Sequence, residues 1–306
     1  MLVVHDPRTA RHRVPRGFPE TPERVATLVR VLGGDRRFEV AVAGERDDVL
    51  PAILALHDEA YVERFRRAVE RGDGLVDTAD NPICPGSFEA AVAAVGAALA
   101  TLDAVLAGDE PAFAAVRPPG HHAERDRAMG FCFFDNAALV AERARARGLG
   151  RVAIVDVDVH HGNGTQHLFE GRADIFYASL HQYPFYPGTG ASDERGCGAG
   201  EGFTLNVPLP AGAGDADWLA GLDELVLPAL ERFAPELLVV SAGFDAWRND
   251  PLGGMRVTEA GFAAMGRRLL DFGEGRCSGR VAAMLEGGYD VTALPGLVAA
   301  FLTGSP

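Results

Sequence analysis

Four short runs of apolar, largely β-branched residues, separated by alanine-rich stretches of helical character, limit what this chain can fold into. RVAIVDVDV (151–159), DIFYASL (174–180), PELLVVSAG (235–243) and GRVAAMLEGG (279–288) read as strands. SFEAAVAAVGAALATLDAVLAG (87–108), NAALVAERARARG (136–148), DADWLAGLDELVLPALERF (215–233) and TEAGFAAMGRRLLDFG (258–273) read as helices. Ser87 is expected to cap the first and Gly108 to stop it. Pro228 is expected to kink or split the third, and the Thr258–Glu259 pair suits a helix start. Strands alternating with helices predict βα units and a parallel sheet, hence an α/β fold. The 306 residues are 47% apolar, enough for a sizeable core. With no internal repeat and no low-complexity linker, one domain over 1–306 is expected.

Four polar clusters sit at the ends of these runs or in long loops: RPPGHHA (117–123), DVDVHHGNG (156–164), SAGFDAWRNDPLGG (241–254) and LEGGYD (285–290). Ligand sites of open α/β sheets assemble at the carboxyl ends of the strands, so the four clusters predict one convergent site. The formal net charge of −14, from 43 acidic and 29 basic residues, excludes a general nucleic-acid binder, because phosphate contacts need clustered Lys and Arg. It suits a cationic substrate, and equally plain solubility. Cys84, Cys132, Cys197 and Cys277 form no C-x-x-C pair. Neither a zinc ribbon nor a redox motif is expected, and reduced thiols in the cytoplasm are the simplest account. No signal-peptide core and no apolar run approaching about 18 residues is read, so no membrane partner is expected.

DVDVHHGNG puts two aspartates and two histidines into what otherwise reads as a buried strand, where charge is costly unless paired. Alternate side chains of a strand share a face, which places Asp156, Asp158 and His160 on one side. Asp158 and His160 can then reach one metal ion. A catalytic zinc takes three protein ligands and leaves a position for water, and Asp245, after VVSAGF, is the best placed third. The competing account is an ordinary hydrogen-bonded Asp–His pair at a strand end. Asp156 still needs a partner of its own. His121 and His122 form a tandem pair suited to acid–base work. Asp156 and Asn163 are placed to orient His121 and His122 respectively, and the charged partner would make its histidine the more basic. Tyr289 is either a packed strand-end tyrosine or a phenol donating to a developing oxyanion. Phe131 and Tyr186 are core aromatics or walls of a narrow slot for an aliphatic chain.

RPPGHHA, GFCFFDN, DVDVHHGNGTQ, SLHQYPFYPGTG, SAGFDA and LEGGY follow one another in the order found in the histone deacetylase superfamily, and the chain resembles that family over roughly residues 15–295. Acetylpolyamine amidohydrolases and acetoin-utilisation proteins belong to it. The resemblance implies a single-domain arginase/deacetylase-like fold, a central parallel sheet flanked by helices. It implies zinc on Asp158, His160 and Asp245, His121 and His122 as acid–base residues, and Tyr289 as the carbonyl-polarising tyrosine. Gly130, Phe131 and Tyr186 would line an acyl-lysine tunnel with Leu252 at its rim, and Asp80 would hold the substrate backbone. Potassium is implied at Asp156, Asp158, His160, Ser179 and Leu180, with a second position at Phe169, Arg172, Ile175 and Phe203. Arg24 matches an arginine near an internal channel. LEGGY, Leu252 and Asn163 resemble the class II branch. Phe18 stands where relatives usually carry histidine, and Asp135 where asparagine is common. The stretch after the tyrosine motif is short, and no regulatory tail is expected.

The function implied is zinc-dependent removal of an acetyl or other short acyl group from an amine. The substrates expected are acetylated lysine in a peptide or protein, or a small acetylated amine such as a polyamine. The apolar Leu252 favours acyl-lysine, since a polyamine enzyme should carry an acidic rim residue there. A two-metal hydrolase of the arginase type would need bridging carboxylates, and only Asp250 lies near Asp245 in sequence. A non-catalytic acyl-ligand binder is disfavoured because every expected ligand and acid–base residue is present.

Overall fold

Uninterrupted apolar runs are what a strand buried on both faces requires, and strands of this kind form the middle of the molecule. The structure is a computed structural model and describes residues 1–108 and 110–306. In chain order the elements are β1 (Leu2–His5), α1 (Glu23–Leu32), β2 (Glu39–Val42), α2 (Val49–Leu56), α3 (Glu59–Arg71), α4 (Ser87–Gly108) and β3 (Ala112–Ala114). Next come α5 (Asn136–Ala146), β4 (Val152–Asp156), α6 (Asn163–Phe169), β5 (Ile175–Gln182) and β6 (Thr204–Leu209). The last are α7 (Asp215–Ala220), α8 (Leu227–Phe233), β7 (Leu237–Ala242), α9 (Glu259–Arg276), β8 (Val281–Leu285) and α10 (Leu294–Thr303).

The strands make one eight-stranded sheet in the order β2-β1-β3-β8-β7-β4-β5-β6. Every pairing is parallel. One face packs on α1, α9 and α10 through Leu28, Phe262, Met265 and Val298. The other packs on α2 to α5 through Ile53, Phe65, Val95 and Leu139. The chain is therefore a three-layer α/β structure, as the alternating pattern predicts. The decisive consequence is local. β3, β8, β7 and β4 are neighbours in the sheet although far apart in sequence, so the loops after them open at one edge.

Three expectations change. β4 stops at Asp156 rather than running to Val159, because Asp156 Oδ1 accepts from Asp158 N (3.0 Å) and Asp158 Oδ1 from His160 N (2.9 Å). These Asx turns replace the extended alternation. Ser87 opens α4 but its hydroxyl accepts from Cys84 N at 2.8 Å, outside the helix. α4 is also long and apolar enough to cross a membrane, with mean hydropathy 2.0 over its best window, contrary to the expectation that no run reaches that length. It is 67% buried over that window, as suits a core helix. The 215–233 stretch splits as Pro228 suggests, with a π-helical turn at Gly221–Val226 between α7 and α8. Thr258 caps α9 by accepting from Gly261 N.

Candidate active site

The Asx turns that end β4 aim Asp158 and His160 toward the loop after β7. There Asp245 takes a bond from Val159 N at 2.9 Å. His160 Nδ1 lies 3.1 Å from both Asp158 Oδ1 and Asp245 Oδ2. Ligand atoms of these three residues lie within 4.8 Å of one another. Asp158 and Asp245 are fully buried and the His160 side chain is 12% exposed. Burial pushes Asp245 up and its neighbour Asp158 pushes it further. Two buried carboxylates around one imidazole nitrogen suit a divalent cation better than they suit each other.

Two glycines complete this cradle. Gly287 N donates to Asp158 Oδ2 at 2.8 Å, and a Cβ there would meet that oxygen at 2.6 Å. A Cβ at Gly243 would run into the Asp158 Cα and Cβ. The glycine of SAGF and the first of LEGGY are thus needed for close approach to the carboxylates.

The tandem histidines stand beside the trio with opposite electrostatics. His121 Nδ1 is 3.0 Å from Asp156 Oδ2, which also accepts from the Tyr177 hydroxyl at 3.1 Å. Burial disfavours charge on His121, but Asp156 and Asp158 outweigh it and hold its pKa well above the usual value. His122 Nδ1 is 2.7 Å from Asn163 Oδ1. Burial, reinforced by His121 and His160, pushes its pKa well below the usual value. The surroundings thus favour a proton on one histidine and the neutral form of the other.

A cavity of about 180 Å³ opens over these groups, lined by Asp80, His122, Gly130, Phe131, His160, Tyr186, Leu252 and Tyr289. Roomier hollows of about 310 and 560 Å³ elsewhere contain no histidine or aspartate. Phe131 holds φ at +69°, a sparsely populated conformation for a bulky residue, and its N–H is tied to Asn81 Oδ1 at 2.7 Å. Its ring packs edge-on to Phe18 (4.9 Å) and Tyr289 (5.8 Å). Asp80 at the mouth accepts from the Tyr186 hydroxyl (3.0 Å) and Gly130 N (3.2 Å). Arg24 lies under the Tyr289 ring at 4.7 Å. The Tyr289 hydroxyl has no protein hydrogen bond among the described residues.

The residue 18–305 stretch matches the family description "Histone deacetylase domain". The chain belongs to the histone deacetylase family. It is 43% identical over 295 residues to the histone deacetylase-like amidohydrolase of Pseudomonas aeruginosa, covering 95% of this chain and 76% of that one. It superposes on the HDA15 HD domain with a TM-score of 0.90 at 36% identity, covering 99% and 90% of the two chains. It superposes on the acetylpolyamine aminohydrolase of Burkholderia pseudomallei with a TM-score of 0.89 at 34% identity, covering 99% and 98%. Both superposed structures thus share its α/β fold.

The residues expected at the first potassium position are adjacent, since Ser179 pairs with Asp156 across β4 and β5 and Leu180 follows it. At the second, Phe169 O accepts from Arg172 N and Phe203 O from Tyr177 N, both at 2.9 Å. The Arg172 side chain is engaged by Asp174 and Glu142.

Several residues here escaped the sequence reading. Glu286, the acidic residue of LEGGY, accepts from Gly120 N at 2.6 Å and His121 N at 3.2 Å, and burial pushes its pKa up to about 8. With His121 and Cys132 it brings ligand atoms within 4.8 Å. That group suits a metal poorly, because burial also keeps Cys132 a thiol, and its Sγ–H donates to Gly130 O. Asp250 accepts from Tyr289 N at 2.6 Å and Leu252 N at 2.9 Å, so it sets two site loops rather than bridging a second metal. Asp135 caps α5, accepting from Ala138 N and the Thr165 hydroxyl. Apart from Ala138 and Leu252, these partners are distant in sequence, so no local pattern could have signalled them.

Proposed function

We propose that the chain is a zinc-dependent deacylase that removes an acetyl or other short acyl group from an amine such as acyl-lysine. The observation that carries this reading is the convergence of Asp158, His160 and Asp245 at a cavity shared with His122 and Tyr289. Held by those three residues, zinc supplies Lewis-acid activation of water and of the acyl carbonyl. His122, neutral and with Nδ1 turned to Asn163, takes the proton from the attacking water and returns it to the departing amine. His121, kept cationic beside Asp156, offsets negative charge as it develops on the acyl oxygen. The Tyr289 hydroxyl donates to that oxygen. Water and amide become carboxylic acid and free amine. Phe131 and Tyr186 enclose the aliphatic chain and keep water out. Potassium bound through the carbonyls beside Ser179 and Leu180, and near Phe169 and Phe203, would stiffen the strands that carry the ligands.

A second substrate class has a specific support. The chain superposes over nearly its whole length on an acetylpolyamine aminohydrolase. The apolar Leu252 at the cavity favours acyl-lysine over a polyamine. The four unpaired cysteines support a reducing, cytoplasmic setting. Turnover of acetyl-lysine peptides, longer acyl-lysine peptides and acetylated polyamines by the zinc-loaded protein, with and without a hydroxamate, tests the reading. Hydroxamate-sensitive release from one panel member is expected. Zinc bound at one per chain with no release from any of them would overturn it.

A further inference from the structure

We infer that Glu124 is a positioning residue for the acid–base pair: its carboxylate fixes which way round the Asn163 amide sits, and so which ring nitrogen of His122 carries the proton. The inference rests on the hydrolytic reading above and deepens it by assigning control of the His122 tautomer.

The two ends of an asparagine amide have opposite chemistry, one accepting and one donating. Asn163 Nδ2 lies 2.6 Å from Glu124 Oε1, and it also faces His122 O at 3.5 Å and Met129 Sδ at 3.4 Å. All three are acceptors. At the other end, Oδ1 lies 2.7 Å from His122 Nδ1. Turning the amide over would press Oδ1 against a carboxylate and a carbonyl. The orientation is therefore set by Glu124, and it places the hydrogen of neutral His122 on Nδ1. The lone pair is left on Nε2.

Glu124 is itself held from every side. Its N–H donates to Arg127 O at 3.0 Å, and its carbonyl accepts from His57 Nδ1 at 2.8 Å. Both carboxylate oxygens meet His167 Nδ1, at 2.9 and 3.0 Å. Asn163 and His167 are four residues apart on α6, hence on one face, and Glu124 meets both. The His167 side chain is 38% exposed, so the row His122–Asn163–Glu124–His167 runs from the buried site to the surface. An amide in the row does not pass protons as imidazole or carboxylate would. The row transmits orientation instead. His121 needs no such device, because either oxygen of Asp156 can accept.

The test uses the full-length zinc-loaded chain and three variants, E124Q, N163D and E124Q/N163D. E124Q offers Asn163 either a donor or an acceptor, so the amide loses its fixed sense and turnover falls roughly tenfold to a hundredfold. N163D sets two carboxylates against each other and falls as well. In the double variant the carboxylate introduced at position 163 accepts from both His122 and the new amide at 124. Turnover is expected to return to within about threefold of the parent, far from the additive result. A double variant whose loss is the product of the single losses would overturn the inference. The 15N shifts of His122 in histidine-labelled protein give a readout independent of turnover. A single Nδ1–H tautomer is expected in the parent and the double variant, with a mixture in E124Q. A single tautomer persisting in E124Q would overturn the inference. Absence of turnover by the parent on every acyl amide would sink the deacylase reading, while the shifts would still decide the role of Glu124.

Discussion

Two buried polar clusters flank the Glu286–Tyr289 turn, and they handle charge in different ways. Around Glu20, Arg24 donates to Gly288 O (2.7 Å), Glu286 O (2.5 Å) and Glu20 Oε1 (3.0 Å). Arg117 donates to both Glu20 carboxylate oxygens, to Thr9 O and to His12 O. Each guanidinium there is met by oxygen on several sides. On the other flank, Asp158 and Asp245 share a single imidazole nitrogen and lie beside a cavity. Full burial of ionic groups thus marks two different things. The Glu20 cluster is finished by the protein and acts as structure. The Asp158–His160–Asp245 cluster suits a bound cation, and it is the one beside a cavity.

The sharpest test of this contrast is His122→Ala. Turnover should fall by about 10²- to 10⁴-fold, the usual worth of a positioned acid–base group, while thermal unfolding barely moves. Unimpaired turnover would remove His122 from the mechanism. Glu20→Gln should do the reverse, costing about 3–5 kcal/mol of stability because two buried guanidiniums lose their counter-ion, and leaving zinc stoichiometry at one per chain. Burial raises the Glu20 pKa, but Arg117, with Arg24, overcomes this and holds it down at about 2, against an ordinary 4.5. Its stabilisation is therefore complete above about pH 4.5 and lost as pH falls toward 2. Denaturant titrations across that range should show the parent losing this increment and the variant not. Parallel curves would show that Glu20 is not ion-paired in solution.

Tyr289→Phe should lower turnover by about 10²- to 10³-fold, as for loss of one oxyanion donor, with hydroxamate binding retained well enough to measure. Little loss would leave Tyr289 a packed aromatic over Arg24. The smallest effect expected is a change of sign in Asp245→Asn. In chelator-treated protein the variant should gain stability, because burial and the repulsion from Asp158 no longer act on a charge there. In zinc-loaded protein it should lose stability relative to the parent. A loss in both conditions would mean that the carboxylates do not repel and that the two clusters are alike.

Much of this site can be read along the chain because its motifs carry their chemistry locally. His121 with Asp156 and His122 with Asn163 follow from residue types that need partners, and the structure places them at 3.0 and 2.7 Å. The geometry of DVDVHH does not follow, because strand periodicity cannot show that Asx turns take over after Asp156. The roles of Glu286, Asp250 and Glu124 were hidden for another reason. Most of their partners lie on other elements, and a lone acidic residue says nothing of which backbone N–H or amide it meets.

By itself the sequence determined the α/β architecture, four of the eight strands (β4, β5, β7 and β8) and the inventory of reactive groups, because apolar period and side-chain chemistry are properties of neighbouring residues. Only the tertiary structure decided which groups meet. The order β3-β8-β7-β4 is set by long-range packing of helices on both faces, and it brings four distant loops to one edge. It also decided what else surrounds the two histidines, since Asp158 adds to the pull of Asp156 on His121 while His160 adds to the burial that disfavours charge on His122.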